Sequence, residues 1–338
     1  MDLAIRADGG PEIGFGHLVR TGTIADEVLS QGGNVTYLTK TPDNIGTVCP
    51  TDIDTVALPE SGELNTACKW IKRHEPNVVL IDSYEADTGY QETLRKSARA
   101  TAVLSDDTRH AICADILING NLYANSLSYE FAGSSPKQLL GPKYVALREQ
   151  IRALTDQDPP WRERPKRAII TMGGSDMTNQ TPTVIQAFDR FDLEIDAIVG
   201  PGFSDTQEEE IRNVAENVSV DVCVRRDPDD LPERMFQADF AVSTASSTTY
   251  ELLALGTPIV SIPVVANQEP IAKALRERDA ATVLDREAGK VSFRHAIKKY
   301  EADSKLRRDR REYGRQLVDG KGVERIYAEI LSIVESDI

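Results

Sequence analysis

At 338 residues the chain is long enough for two domains of ordinary size, and a composition 40% hydrophobic and 28% charged is that of a folded protein rather than a disordered one. Its 54 acidic against 39 basic side chains leave a formal net charge of -15, which argues against nucleic acid or an anionic membrane surface as partner. The four cysteines, Cys49, Cys68, Cys113 and Cys223, form no C-x-x-C pair and no apolar run approaches the ~20 residues of a bilayer span, so neither a disulfide framework, a cysteine zinc site nor a membrane segment is expected.

The N-terminus, with Asp2, Arg6 and Asp8 close together, does not read as a signal peptide, and a cytoplasmic protein is the expectation. Residues 3–8 read as a short apolar strand. The run 18–29 reads as a helix, with Leu18, Ile24, Ala25, Val28 and Leu29 available for one buried face. Between them stands Ile13-Gly14-Phe15-Gly16-His17-Leu18-Val19-Arg20, two glycines followed by a histidine and an arginine at a helix start. Backbone N–H groups and the helix dipole there favour an anion and a neutral imidazole able to accept a proton. A plain tight turn with a solvated His17 explains this stretch alone equally well.

Further short apolar runs follow at 34–40, 55–58, 78–82, 102–106 and 116–118, separated by helix-like segments. Two of them end in carboxylates, Asp82-Ser83-Tyr84 and Asp106-Asp107, which could orient sugar hydroxyls or accept protons. No histidine and carboxylate cluster at ligand spacing suggests a metal. His74, His110 and His295 stand outside any constellation and read as surface residues.

A polar stretch at 154–167, with Asp158-Pro159-Pro160, reads as a linker between a domain at 1–153 and another at 168–322. The second half repeats the rhythm with strands at 168–172, 194–199, 218–224, 239–243, 258–264 and 281–284, so parallel sheets covered on both faces are expected, with ligands at the carboxyl ends of the strands. Two of these strands run into small-residue loops, Gly173-Gly174-Ser175-Asp176 and Thr244-Ala245-Ser246-Ser247-Thr248-Thr249. There, backbone N–H groups and hydroxyls can approach a diphosphate. Glu251, in the next helical turn, could take a ribose diol or simply favour the helix N-terminus. Asn267-Gln268 could contact sugar or phosphate, or cap a loop. The basic run 305–311 reads as a solvated helix face. Val323, Ile326, Tyr327, Ile330, Leu331 and Val334 predict a closing amphipathic helix at 323–338 that packs on a domain.

With these residues in hand, the chain resembles the UDP-sugar hydrolases of pseudaminic acid biosynthesis, relatives of the MurG-type glycosyltransferases. The likeness is carried by Arg6-Ala7-Asp8, Ile13-Gly14-Phe15-Gly16-His17 with Arg20, Ile81-Asp82-Ser83-Tyr84, Asp106-Asp107, the run 140–148, Gly173-Gly174-Ser175-Asp176, Ser247-Thr248-Thr249-Tyr250-Glu251, Asn267-Gln268 and Asp319-Gly320-Lys321-Gly322. It implies a GT-B-like α/β fold, two Rossmann-like parallel-sheet domains facing a cleft. It also implies hydrolysis of UDP-2,4-diacetamido-2,4,6-trideoxy-beta-L-altropyranose to sugar and UDP without metal or other cofactor. By that resemblance His17 activates or positions water, Glu251 holds the ribose and the small-residue loops hold the diphosphate. The candidate set is then His17, Asp82 and Tyr84 for catalysis, with Gly14, Gly16, Arg20, Gly173, Gly174, Ser175, Ser246, Ser247, Thr248, Thr249, Glu251, Asn267 and Gln268 for the UDP-sugar. The chain departs from the family at Ala245-Ser246, where a glycine pair is usual, and this side-chain bulk could restrict the diphosphate or supply a hydroxyl in its place. Glycosyl transfer to an acceptor and non-catalytic UDP-sugar binding are the alternatives.

Overall fold

The structure, a computed structural model, describes residues 1–10 and 14–336, so Ile13 of the opening motif lies outside the described residues. It divides into two compact units, Met1–Glu149 with Gly320–Ile338, and Gln150–Asp319.

In the first unit, strands β1 (Asp2–Ala7), β2 (Asn34–Thr39), β3 (Asp54–Ala57), β4 (Val78–Asp82), β5 (Thr101–Leu104), β6 (Ile116–Asn119) and β7 (Lys137–Leu140) form one sheet in the order β3-β2-β1-β4-β5-β6-β7. Every strand pair in it is parallel. Helices α1 (Gly16–Ser30), α2 (Pro42–Val48), α3 (Glu63–His74) and α4 (Thr88–Arg95) supply the crossovers. Alternate residues of β1 serve opposite faces, as the two-residue period of a strand demands: Leu3 and Ile5 meet Leu18, Ile24 and Val28 of α1, while Ala4 joins Ala67 and Ile71 of α3 and Leu94 of α4. The α1 face expected from the sequence is the buried one, with Leu29 partly buried against the same core. Strand β7 was not foreseen. Its sequence, Lys-Gln-Leu-Leu, pairs on one side only and carries the polar start of an edge strand.

The chain runs through α5 (Glu149–Thr155) into the second unit. Its strands β8 (Arg167–Thr171), β9 (Glu194–Val199), β10 (Asp221–Arg226), β11 (Phe240–Thr244), β12 (Ile259–Ile262) and β13 (Thr282–Val283) form a second parallel sheet, ordered β10-β9-β8-β11-β12-β13. Around it stand α6 (Thr181–Ala187), α7 (Asp205–Glu216), α8 (Leu231–Gln237), α9 (Thr248–Leu255), α10 (Glu269–Glu277), α11 (Lys290–Ala302) and α12 (Ser304–Leu317). Both units are therefore α/β domains on parallel sheets. The last helix, α13 (Gly322–Ser336), returns to the first unit, where Ile326, Ile330 and Val334 complete the core beside α1.

The basic run on α12 is not a solvated face. Arg307 and Arg310 are buried, and arginines at four-residue spacing line one side of the helix. Arg307 Nη2 donates to the carbonyls of Arg162 and Glu163 (3.1 and 2.7 Å), Arg311 Nη2 to that of Pro160 (2.6 Å), and Arg315 to those of Gln157 and Thr155 (2.9 and 2.7 Å). The Trp161 ring lies 4.9 to 5.6 Å from the guanidinium carbons of Arg307, Arg308 and Arg311. Much of the stretch expected as a linker is thus fastened to the second unit through its backbone. Its polar composition has a physical reason: the segment offers carbonyls to arginines instead of apolar side chains to a core.

Candidate active site

Strand order reverses beside β1 in the first sheet and beside β8 in the second, and such points are where crevices open at the carboxyl ends of the strands. In the first unit Ala7 is the register partner of Asp82, so the loops leaving β1 and β4 start side by side. The β1 loop is closed on itself. Gly10 N donates to Gly14 O (3.1 Å), Gly14 N returns a bond to Gly10 O (2.7 Å), and Gly14 takes φ +82°. A Cβ on Gly9 would stand 2.5 Å from Leu18 Cγ and one on Gly10 2.7 Å from Asn44 Nδ2, whereas at Gly14 and Gly16 nothing lies within 4 Å. The steric need for glycine falls on Gly9, which sequence reasoning passed over, while Gly14 needs glycine for its positive φ and open space lies at Gly14 and Gly16.

The root of this loop is fixed by buried ions. Arg6 donates Nη1 to Asp8 (2.6 Å), Nη2 to Glu63 (2.9 Å) and Nε to the Tyr90 hydroxyl (2.8 Å), and Asp8 Oδ1 accepts from Thr39 Oγ1 (2.9 Å) and Lys40 N (2.7 Å). Burial pushes the Tyr90 phenol up to about 12, partly offset by Arg6, so it stays protonated.

His17 occupies the first turn of α1 and its Nδ1 lies 2.7 Å from Asp82 Oδ1 at the end of β4. Arg20, one turn further, grips the same carboxylate through Nε to Oδ2 (2.6 Å) and Nη2 to Oδ1 (2.5 Å) and reaches Asp106 Oδ2 through Nη1 (2.6 Å). Asp82 is fully buried. Burial alone would raise its carboxyl, but the Arg20 charge and the hydrogen bonds from Arg20 and His17 outweigh that and hold it below the usual carboxylate range. An ionised carboxylate only accepts, so Nδ1 carries the proton it donates to Asp82, and the tautomer this selects has its lone pair on Nε2. Arg20 Nη2, 3.2 Å from Nδ1, can only donate and is already bonded to Asp82, which leaves it a neighbour of the imidazole rather than a partner.

The Tyr84 ring stands nearly perpendicular to the imidazole, centroids 4.7 Å apart, and its hydroxyl points to Asp106 Oδ2 at 3.4 Å. Burial pushes the Tyr84 phenol upward, so it remains a donor near neutrality. Asp106 also accepts Asn121 Nδ2 (2.8 Å) on Oδ1, and its carbonyl accepts the Tyr123 hydroxyl (3.2 Å). His17, Asp82 and Tyr84 therefore come together as one cluster, with Arg20 spent on holding carboxylates. Asp106 was noticed only as a strand-end carboxylate, and Asn121 was missed. The Asn-Gly-Asn run directly after an apolar strand was the available signal. His110, read as a plain surface residue, is half-buried and lines a small recess next to Tyr84, whereas His74 and His295 are exposed.

In the second unit the loops after β8 and β11 meet. The site of a Cβ on Gly173 (φ +83°) lies 3.7 Å from Ser246 Oγ and 3.8 Å from Thr244 Oγ1, while Gly174 has nothing within 4 Å. Ala245 is fully buried, so its methyl turns away from any approaching ligand. Ser246 Oγ accepts from Thr244 Oγ1 (3.0 Å) and has its own proton to donate. Ser175, Ser247 and Asn267 are exposed, Thr249 is buried, and Thr248 and Glu251 are half-buried at the start of α9. Asp176 caps α6 through the backbone N–H groups of Gln180 (2.9 Å) and Thr181 (2.7 Å). Gln268 Oε1 accepts Val264 N (2.8 Å), which is the loop-capping use of that side chain. Among the described residues no group of three or more His, Cys, Asp and Glu could hold a metal, and no helix is long and apolar enough to cross a membrane.

No family model matches the chain. It is 26% identical over 271 residues to an uncharacterized protein of Methanocaldococcus jannaschii, covering 77% of this chain but only 55% of that one, so it spans about half that relative's length. It is 25% identical to the spore coat polysaccharide biosynthesis protein SpsG of Bacillus subtilis, with 100% of both chains covered. It is 23% identical to the UDP-2,4-diacetamido-2,4,6-trideoxy-beta-L-altropyranose hydrolase of Campylobacter jejuni, over 82% of this chain and 97% of that protein. Among solved structures, Acinetobacter baumannii MurG superposes with a TM-score of 0.74 at 12% identity, covering 98% of this chain and 100% of MurG. The calicheamicin glycosyltransferase CalG4 gives 0.67 at 15% identity, with 98% of each covered. The chain is a homologue of SpsG and of the altropyranose hydrolase, built on the two parallel-sheet domains of the GT-B glycosyltransferases.

Proposed function

We propose that the protein hydrolyses a UDP-linked diacetamido-trideoxy sugar to the free sugar and UDP, in the biosynthesis of a nonulosonic acid of the pseudaminic type. The observation that carries the reading is the His17–Asp82 pair. Its 2.7 Å contact from Nδ1 leaves Nε2 to take a proton from water. Water oxygen bonds to the anomeric carbon, the bond from that carbon to the diphosphate oxygen breaks, and its electron pair leaves with UDP. A diphosphate leaves readily, so a strong general acid is not required. Asp82 steadies the imidazolium that forms, Arg20 holds Asp82, and the Tyr84 hydroxyl, its proton on Asp106, accepts from a hydroxyl or amide N–H of the sugar.

In this reading Gly14 and Gly16 leave room for the sugar end of the substrate. The second unit takes the nucleotide, with the backbone at Gly173, Gly174 and Ser175 and the hydroxyls of Ser246, Ser247 and Thr248 around the diphosphate, Glu251 on the ribose, and Asn267 with Gln268 at the edge, while the buried Thr249 hydroxyl, expected from the sequence to join them, instead bonds the Thr244 carbonyl. The homology to a named hydrolase supports hydrolysis, and the buried Ala245 methyl beside the donor Ser246 supports diphosphate binding without the usual glycine pair.

The test is incubation of the protein, with no acceptor added, with UDP-linked diacetamido sugars including the altropyranose compound, followed by NMR of sugar and nucleotide. Equal release of free sugar and UDP is expected. Binding without release would replace hydrolysis with transfer to an acceptor or with binding alone.

A further inference from the structure

Tyr84 is 48% exposed although its ring is set against a buried imidazole, so part of the ring faces solvent. The small recess beside it, lined in part by Val103, His110, Asp107 and Arg109, has too little free space for a phenol ring, so the open flank of the ring is solvent. An exposed tyrosine with open space on one flank samples several χ1 wells unless something blocks them. The blocking group is Arg109. Its guanidinium carbon sits 4.4 Å from the centroid of the Tyr84 ring, while the imidazole of His17 meets that ring at a centroid distance of 4.7 Å.

Arg109 is itself held. Nε and Nη2 both reach Asp107 Oδ2 (2.8 and 2.6 Å), and Asp107 Oδ1 accepts the Arg109 backbone N–H (3.1 Å). The loop after β5 thus carries two adjacent carboxylates with separate tasks. Asp106 takes the Tyr84 hydroxyl and Arg20, and Asp107 fixes the cation that covers the Tyr84 ring.

We infer that Arg109, locked by Asp107, is a positioning residue that keeps the Tyr84 ring against His17 instead of letting it swing into solvent. The inference rests on the proposed roles of His17 and Tyr84, but its geometry can be read without any turnover. The planar cation is what the position requires. A lysine would keep the charge, yet it could not both cover the ring and make two bonds to Asp107.

The experiment uses the 13Cε1–1Hε1 signal of His17 in the full chain, assigned by loss in His17→Asn, since four histidines give few signals. The Tyr84 ring current sets part of its position, and Tyr84→Ala shows where the signal lies without that ring. Arg109→Ala is expected to move the signal most of the way to the Tyr84→Ala position. Adding Arg109→Ala to Tyr84→Ala is expected to move it no further, which separates loss of ring position from loss of charge. A His17 signal unmoved in Arg109→Ala, or moved equally in both backgrounds, would overturn the inference. If the hydrolase reading holds, Arg109→Ala also lowers kcat about tenfold in the parent and leaves Tyr84→Ala unchanged, with UDP affinity constant throughout. A protein that hydrolyses nothing removes only this last measurement, and the NMR result still decides. Arg109 is half-exposed on a surface loop, so the variants are expected to fold.

Discussion

Arg20 and Asp82 meet fork to fork, Nε to Oδ2 at 2.6 Å and Nη2 to Oδ1 at 2.5 Å, so both oxygens of the carboxylate that serves His17 are fixed by a single side chain. A fork cannot be replaced by a point charge. Arg20→Lys is expected to retain the fold and lower turnover about tenfold, since Asp82 can then rotate and carry the imidazole with it. Unaltered turnover in this variant would deny Arg20 its part in orienting the pair.

His17→Ala is expected to lower turnover by ~10² or more while UDP binds as before, because only the proton acceptor is lost. Asp82→Asn is expected to cost ~10² to 10⁴, because an amide no longer selects the tautomer with its free lone pair on Nε2. Steady-state rates beside calorimetric UDP titration check both. A His17→Ala protein of full activity would remove the histidine from the mechanism.

Acid acts on the same aspartate. Its carboxyl is lower in the folded chain than the ~3.9 of an unfolded one, so its stabilising contribution is complete above about pH 4 and is lost as pH falls through the folded value. At pH 7 Asp82→Asn is expected to be less stable by about 3 kcal/mol, because the buried side of Arg20 loses its ionic partner. Urea unfolding at pH 7 and again near pH 3 should show that gap narrowing. A gap of constant size would mean that Asp82 is not stabilised in its charged form.

Glycines in the second unit divide by what surrounds them. A Cβ on Gly200 would lie 2.5 Å from the carbonyl oxygen of Gly173 and 2.6 Å from that of Gly174, both backbone atoms, so Gly200→Ala is expected to displace the loop and weaken UDP binding together with stability. Gly174→Ala meets nothing within 4 Å and is expected to leave the melting temperature unchanged while still weakening UDP, by intruding where a phosphate approaches. Melting curves with and without UDP separate the two, and equal behaviour of the pair would argue against this loop as the diphosphate site.

Arg307, Arg311 and Arg315 of α12 hold backbone carbonyls, whereas Arg310 takes the side chains of Asp279 and Tyr300. Arg311→Ala and Arg315→Ala each free carbonyls in the 155–160 stretch, and the double variant is expected to become cleavable there by a protease that leaves the parent intact. Arg307→Ala, whose partners include the carbonyls of Arg162, Glu163 and Tyr300, is expected to cost roughly 1–3 kcal/mol, more than either of the others, because that side chain is fully buried. Cleavage patterns indistinguishable from the parent would show that the segment is held by something else.

Legibility in the sequence followed locality. The continuous apolar run of β4 and the Ile-Asp-Ala-Ile-Val stretch of β9 marked those strands to the residue, and the glycine, carboxylate and hydroxyl endings of the strands marked the candidate loops. The edge strand β7 escaped because pairing on one side leaves a short strand that needs little apolar character. What could not be read were partnerships across the chain. Arg6 finds Glu63 and Tyr90 from 57 and 84 positions away, Arg20 finds Asp106 from 86, and Arg307 finds the 162–163 carbonyls from 145 and 144. A run of arginines looks solvated until the carbonyls that consume it are known. At Ala245-Ser246 the sequence left obstruction and a substituting hydroxyl open, and the burial of Ala245 takes its methyl off the surface.

The return of α13 to the first unit has a consequence for how the protein is made. During synthesis Leu18, Ile24 and Val28 of α1 emerge early, yet Ile326, Ile330 and Val334, which share their core, leave the ribosome about three hundred residues later. The helix that bears His17 therefore waits, one flank uncovered, while the whole second unit is translated and folds. Each of the three late side chains brings roughly 1.5–3 kcal/mol of burial, a large share of what any domain has to spare. The histidine's own domain gains this share of its core only after α13 has followed the whole second unit out of the ribosome.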